Sequence, residues 1–378
     1  MRIVVAPDSF KGNLSSIEIA DAIEKGIRNI DQSIQVIKIP VADGGEGSVE
    51  TLVNATGGRI IPVRVTGPLL REVNAFYGIS GDGQTSFIEM AAASGLSLLK
   101  QNEYNAMKAS SYGTGELILD ALDQGCRKII IGLGGSATND GGAGLLQALG
   151  MRLYDRYQFD LALGGGSLGD LFGFNQSQFD PRIKDTTFLL ACDVDNPLCG
   201  PHGASHVYGP QKGASPEDVL ILDENLKHFA QVIEKTHGKQ IEDVPGAGSA
   251  GGMGGGLMAF LDAHMVKGID LVMEACNIET AIADADLVIT GEGKIDTQTA
   301  CGKAPLGIAQ MAMKYDIPVI GIAGALGEDI KELYTHGFTS LFAIANRPMS
   351  LDESLSQAEA LIEKQTENLM RLFLAGKQ

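Results

Sequence analysis

Several things are scarce in this chain of 378 residues, and each scarcity removes a class of function. Basic residues are outnumbered: 29 Lys and Arg stand against 47 Asp and Glu, a formal charge of −18. No basic stripe interrupts that acidity, so a nucleic-acid partner, which must have its phosphates neutralised, is not expected. A small phosphate ligand would have to be held locally, by lysine, by backbone N–H groups or by a divalent cation. No apolar run approaches the ~18 residues of a membrane span, so no membrane partner is expected. The opening MRIVVAPDSF enters a strand-like run without the plan of a signal peptide, and the expected location is cytoplasmic. The five cysteines are odd in number and include no CxxC, which argues against a disulfide framework or a zinc ribbon. Cys199, His202 and His206 lie close together in a loop flanked by Gly and Pro. Zinc there would need a fourth ligand, and ordinary loop residues explain the trio as well.

Glycine is abundant instead: 49 residues, about 13 % and near twice the usual share, clustered and without a G-X-Y period. Around these clusters the two ends of the chain alternate strand and helix. IVVA (3–6) and QVIKIPV (35–41) read as strands. Between them Ser15 and Glu18 form a capping box before Ile19, Ile23, Ile27 and Ile30 at helical spacing. Near the other end, LVIT (287–290), PVIGIAG (318–324) and SLFAI (340–344) read as strands. Helices are expected at 303–315 and 328–337, and a last long one after Ser350, running to about 374. Such alternation means parallel βαβ units with ligands at the strand C-termini. The middle differs: 59–91 reads as three strands joined by short turns, which suits antiparallel pairing. Further strands are expected at 128–135 and 186–192, and a helix capped by Ser215 with Pro216 at its first position. The expected fold is α/β in two domains. One is made from both termini, 1–62 and 286–378. The other, 63–285, is inserted.

The chemistry-bearing residues collect in loops after strands. Asp8, Ser9 and Lys11 follow the first strand, where Lys11 could neutralise a phosphoryl or carboxylate oxygen. An exposed turn with Asp8 paired to Lys11 would use the same residues. Asp43 and Glu46, hinged by glycines after the second strand, can approach one hard cation. The loop Gly132–Gly142 holds Gly134, Gly135, Ser136, Thr138 and Asn139 between a strand and a helix. Small residues there let backbone N–H groups close on an anion. Asp193 and Asp195 follow strand 186–192 and could serve as a base or metal ligand, or form an Asx turn before Pro197. Glu292, Lys294 and Asp296 alternate after strand 287–290, as a clamp for a charged transition state or as a self-satisfied surface ion pair. GxGxxG occurs at 246–251 and again at 164–169, without a preceding strand in either place. The dinucleotide reading, a nicotinamide-dependent hydroxyacid dehydrogenase, is the alternative function. GGSLG (165–169) matches a hydrolase elbow but lacks the strand and a histidine partner. There is no GxxxxGK[ST] and no HRD or DFG set, so neither a Walker loop nor a protein kinase is indicated. Lysines, carboxylates and small donors without a nucleophile–histidine pair fit phosphoryl transfer best.

On these residues the sequence resembles the glycerate kinase type-1 family. The resemblance is carried by PDSFKGNLS (7–15), PVADGGEGS (40–48), IEMAAASGL (88–96), SSYGTGELI (110–118) and GLGGSATNDGGAGLLQALG (132–150). It continues through ACDVDNPLCGPHGA (191–204), YGPQKGA (208–214), PGAGSAGGMGGGL (245–257) and LVITGEGKIDTQT (287–299), in order along nearly the whole chain. Lys294 stands where the family often has Arg. The resemblance implies ATP-dependent phosphorylation of D-glycerate with Mg²⁺, in the breakdown of glyoxylate, glucarate or galactarate. It also implies a flavodoxin-like domain from the two termini and an inserted domain of restriction-enzyme-like topology. Placed on the family's motif positions, the expected roles are these. Lys11 and Lys294 offset charge, Asp193 is the base with Asp296 in reserve, and Asp8, Ser9 and Asn139 bind glycerate. Gly134, Gly135, Ser136 and Thr138 hold phosphates, and Asp43 and Glu46 hold Mg²⁺. The expected product is 2-phosphoglycerate, with 3-phosphoglycerate open; assembly into a homo-oligomer is also left open.

Overall fold

The apolar runs at the two ends of the chain pair with each other. In a computed structural model, which describes residues 1–10, 12–39, 41, 47–275, 278–297, 299 and 304–376 (with the side chains of 272, 274 and 275 set aside), the first strand, β1 (Arg2–Pro7), lies in mid-sheet. Lys11, Asp43 and Glu46 lie outside the described residues. The other strands in chain order are β2 (Gln35–Lys38), β3 (Arg59–Thr66), β4 (Glu72–Ile79), β5 (Thr85–Glu89), β6 (Lys128–Gly132), β7 (Arg152–Tyr154), β8 (Gly173–Asn175), β9 (Thr187–Ala191), β10 (His264–Val266), β11 (Leu287–Ile295), β12 (Val319–Leu326) and β13 (Ser340–Ala343). The chain divides into two compact units: Met1–Asp43 with Gly268–Gln378, and Gly44–Lys267.

In the first unit the sheet order is β13-β12-β11-β1-β2, every pair parallel. Counted in order of appearance this is the 2-1-3-4-5 order of flavodoxin-like sheets. Ile3 and Val5 of β1 pack with Leu287, Ile289, Ile320 and Ile322 beneath Ile19, Ile23 and Ile27 of the helix Ser16–Ile30. The alternate β1 residues Val4 and Ala6 are buried too, as strands covered on both faces must be. The capping box is formed: Ser15 Oγ accepts from Glu18 N at 3.2 Å while the Glu18 carboxylate accepts from Ser15 N at 2.8 Å. Three expectations are corrected. β11 continues through Gly291–Ile295, because its pairing with β12 runs on to Ile295↔Leu326 and overrides the loop-like composition of GEGKI. The helix expected at 328–337 is only Lys331–Thr335. The last helix is broken at Gln357 into Leu351–Ser356 and Ala358–Ala375.

The second unit carries a mixed sheet, β10-β9-β6-β5-β4-β3. β3, β4 and β5 form the antiparallel meander, whereas β5, β6, β9 and β10 are parallel. The register sets Glu89, Gly132, Ala191 and Val266 level with one another at the C-terminal ends of the four parallel strands. The loops that follow therefore leave one sheet edge together. β7 and β8 make a separate two-stranded ribbon. No helix among the described residues is long and apolar enough to cross a membrane.

Candidate functional site

The loop after β6 is where the second unit concentrates its polar and glycine residues. Its tip, Gly134–Gly135, is exposed, while residues 136–142 are buried. On one flank the tip is stitched to 94–96: Leu96 N donates to Gly135 O (2.9 Å) and Ala137 N to Ser94 O (2.9 Å). The other flank rests on an internal lysine. Lys212, 2 % exposed, donates from Nζ to Ser136 Oγ at 2.7 Å and to the Thr138 carbonyl at 2.8 Å. Burial disfavours its charged form and holds its pKa down to about 7, against the opposing pull of the Asp140 carboxylate.

Asp140 is itself fully buried. It accepts from Ser111 N and Ser111 Oγ, both at 2.8 Å, and from Gly142 N and Gly144 N at 3.2 and 3.3 Å. Burial pushes its carboxyl up, and these donors work against the rise. The motif at 110–118 is thereby tied to the loop. Replacing Asp140 with Ala strands those donors in the interior. We expect a loss of ~3–5 kcal/mol of stability, read from urea unfolding. A change below about 1 kcal/mol would show that the carboxylate is not what satisfies them.

Two remote glycine motifs complete the cradle. A Cβ built on Gly251, whose φ is +69°, would lie 2.0 Å from the Thr138 carbonyl oxygen; one built on Gly165 would lie 2.2 Å from that of Asn139. Gly141 N donates to Gly251 O at 3.0 Å. Gly251 and Gly165, within the segments 246–251 and 164–169, are therefore glycine because the backbone of the loop after β6 lies against them. This replaces the dinucleotide reading, which needs a strand leading into the turn.

The side chains of Ser136, Thr138 and Asn139 point inward. Ser136 Oγ faces Lys212, and Thr138 Oγ1 is turned to Ala250 O at 3.5 Å. Asn139 Nδ2 donates to Ser205 Oγ at 2.9 Å, while its buried Oδ1 has no partner among the described residues. What the loop presents outward is the Gly134–Gly135 tip. Beside it, after β9, Asp193 and Asp195 are exposed. Their loop is pinned by Gly248 N to Asn196 O (3.0 Å) and by Tyr208 OH to Asn196 Oδ1 (2.7 Å). Glu89, buried at the end of β5, accepts from Val49 N at 3.0 Å, where the helix Ser48–Ala55 begins.

The first unit gathers its own set on the edge of β1 and β11. Asp8 N donates to Gly291 O at 2.8 Å, and Ser9 N to Asp8 Oδ1 at 2.7 Å. Glu292 is buried and accepts from Thr299 Oγ1 at 2.6 Å; the same Oγ1 receives Asp296 N at 3.0 Å. Lys294 Nζ lies 3.0 Å from Asp296 Oδ2, with side-chain exposures of 64 % and 18 %. Asp8, Ser9, Lys294 and Asp296 thus share one strand-end region. The 199–206 cluster is no metal centre in this fold: His206 faces Asp223 at 3.8 Å, and among the described residues no three His, Cys, Asp or Glu side chains could hold an ion.

The sequence alone assigns no chemistry to Lys212 or Glu89. Lys212 sits in YGPQKGA, whose only signal was family resemblance; a lone lysine has no periodicity to reveal it. A profile described as the glycerate kinase family matches residues 3–374. The chain is 51 % identical over 376 residues to a glycerate 2-kinase of Escherichia coli (strain K12), covering 100 % of this chain and 99 % of that one. It is 50 % identical over 364 residues to a glycerate kinase of Bacillus subtilis (strain 168), covering 96 % and 95 %. A crystal structure of a candidate glycerate kinase 2 from Salmonella typhimurium LT2 superposes with a TM-score of 0.90 at 49 % identity, over 100 % of this chain and 99 % of that one.

Proposed function

From the premise that the chain belongs to the glycerate kinase family, we propose that it transfers the γ-phosphoryl group of ATP to a hydroxyl of D-glycerate, yielding 2-phosphoglycerate. The observation that carries this reading is an exposed diglycine tip on an otherwise buried loop, at the C-terminal ends of the parallel strands of a mixed sheet. Backbone N–H groups in such a bend suit phosphate oxygens, and the absence of side chains permits close approach. Ser136, Thr138 and Asn139 then act as inward anchors that fix the tip.

Phosphoryl transfer asks for charge neutralisation, alignment and a proton acceptor. Lys11 and Lys294 are the cations we assign to the phosphoryl oxygens and the glycerate carboxylate. Lys294 is mostly solvated while Asp296 is largely buried, so the ammonium is free to turn from Asp296 towards a substrate oxygen. Asp8 and Ser9 are assigned to glycerate. Asp193 takes the hydroxyl proton as the new O–P bond forms. The bond from the γ-phosphorus to the β–γ bridging oxygen breaks, and ADP leaves with the electron pair. Mg²⁺ would screen the ATP phosphates, with Asp43 and Glu46 as the carboxylates proposed to hold it. Both lie outside the described residues.

Phosphorus NMR of the product tests reaction and position together. With ATP and D-glycerate we expect ADP and one phosphomonoester coupled to a single methine proton. Coupling to two methylene protons would move the phosphate to the terminal hydroxyl. No phosphomonoester with D-glycerate would overturn the reading.

A further inference from the structure

We propose that Lys212 is the positioning residue of the phosphate loop, an internal amine that sets the Gly134–Gly135 tip by gripping Ser136 and Thr138 from beneath. The proposal rests on the reading of that loop as the seat of the nucleotide's phosphates.

Burying a lysine is costly unless its head group is satisfied. Here the partners of Nζ among the described residues, Ser136 Oγ and the Thr138 carbonyl, belong to one short stretch of loop, on either side of Ala137. Ala137 is gripped from the opposite side, its N–H donating to Ser94 O at 2.9 Å. Residues 136–138 are thus held between two walls, and the two glycines just ahead of them inherit that placement. Left to themselves, glycines would sample many conformations. Preorganised donors stabilise transition-state charge because they need not reorganise during reaction.

The lysine is itself built in rather than loosely inserted. It ends the turn Pro210–Lys212, where Lys212 N donates to Gly209 O (3.0 Å) and Gly209 N to Ser205 O (2.9 Å). Ser205 Oγ meanwhile accepts from Asn139 Nδ2. The segment 205–212 therefore grips the loop at Ser136, Thr138 and Asn139. The charge acting on Lys212 among the described residues is that of Asp140, which anchors the far end of the same loop. At 2 % exposure Lys212 is not placed to touch substrate, so its effect passes through the loop.

The test compares Lys212→Met, Ser136→Ala and the double variant in full-length protein. Steady-state kinetics are paired with amide hydrogen exchange read by mass spectrometry. Lys212→Met should raise KM for ATP by about 20-fold and leave KM for D-glycerate within about threefold. Exchange should quicken in peptides covering 133–141 and not in those covering 287–295. Ser136→Ala should raise KM for ATP by about fivefold, and the double variant should be no worse than Lys212→Met, because both act through one contact. A folded Lys212→Met with both KM values and loop exchange unchanged overturns the proposal. If Lys212→Met does not fold, Ser136→Ala decides: unchanged KM for ATP and unchanged loop exchange overturn it equally. Quickened loop exchange with KM raised for glycerate alone supports Lys212 as positioning residue and overturns the nucleotide reading of the loop.

Discussion

Asp193→Asn is expected to lower kcat by about 10³-fold while both KM values stay within about threefold. The substitution keeps size and removes only the ability to take a proton. An interaction made only as the hydroxyl proton leaves should appear in kcat and not in ground-state binding. Asp193 sits exposed in the loop after β9, the strand beside β6 in the sheet, and so shares an edge with the glycine tip. Asp296, paired with Lys294 at 3.0 Å, is the competing carboxylate. Asp296→Asn serves as the comparison. If Asp193→Asn keeps full kcat and Asp296→Asn loses it, the base is Asp296.

Gly251→Ala is expected to cost ~3 kcal/mol or more of stability and to lower kcat/KM by at least about 100-fold, because the added methyl displaces the phosphate loop. The obstruction is backbone: the Thr138 carbonyl oxygen at 2.0 Å and Asn139 Cα at 2.6 Å, neither of which can rotate away. Positive φ adds to the strain, and a control separates the two effects. Gly238, at the end of the helix Pro216–His237, has φ +68° but nothing within 4 Å of its would-be Cβ. Gly238→Ala should therefore cost only about 1 kcal/mol and leave the kinetics unchanged. Equal effects from the two substitutions would mean that backbone conformation, and not support of the loop, explains Gly251.

These expectations depend on features of unequal visibility in the sequence. Local signals were legible. The capping box at Ser15 and the helix caps at Ser215 and Ser350 join residues three apart and form where the sequence places them. The alternation of strands with helices at the two ends marked a parallel sheet, which the pairing of β1, β2, β11, β12 and β13 forms. The loop after β6 stood out by its glycines and small polar residues. What supports that loop was hidden, because the supports are tertiary. Lys212 meets Ser136 across 76 residues of chain, and Asn139 meets Ser205 across 66. The glycines at 246–251 carry the composition of a dinucleotide turn, yet Gly248 and Gly251 are there because of neighbouring backbone that only the fold brings near. Likewise GEGKI reads as a loop until β12 supplies its partner strand. Lys11, Asp43 and Glu46 lie outside the described residues, so their roles rest on motif position.

The most direct measurement is a crystal structure of the protein soaked with a non-hydrolysable ATP analogue. Phosphate oxygens should lie within hydrogen-bonding distance of the backbone N–H groups at Gly134–Gly135, with Lys212 still beneath Ser136 and Thr138. Phosphates bound elsewhere, with the diglycine tip untouched at saturating analogue, would contradict the account.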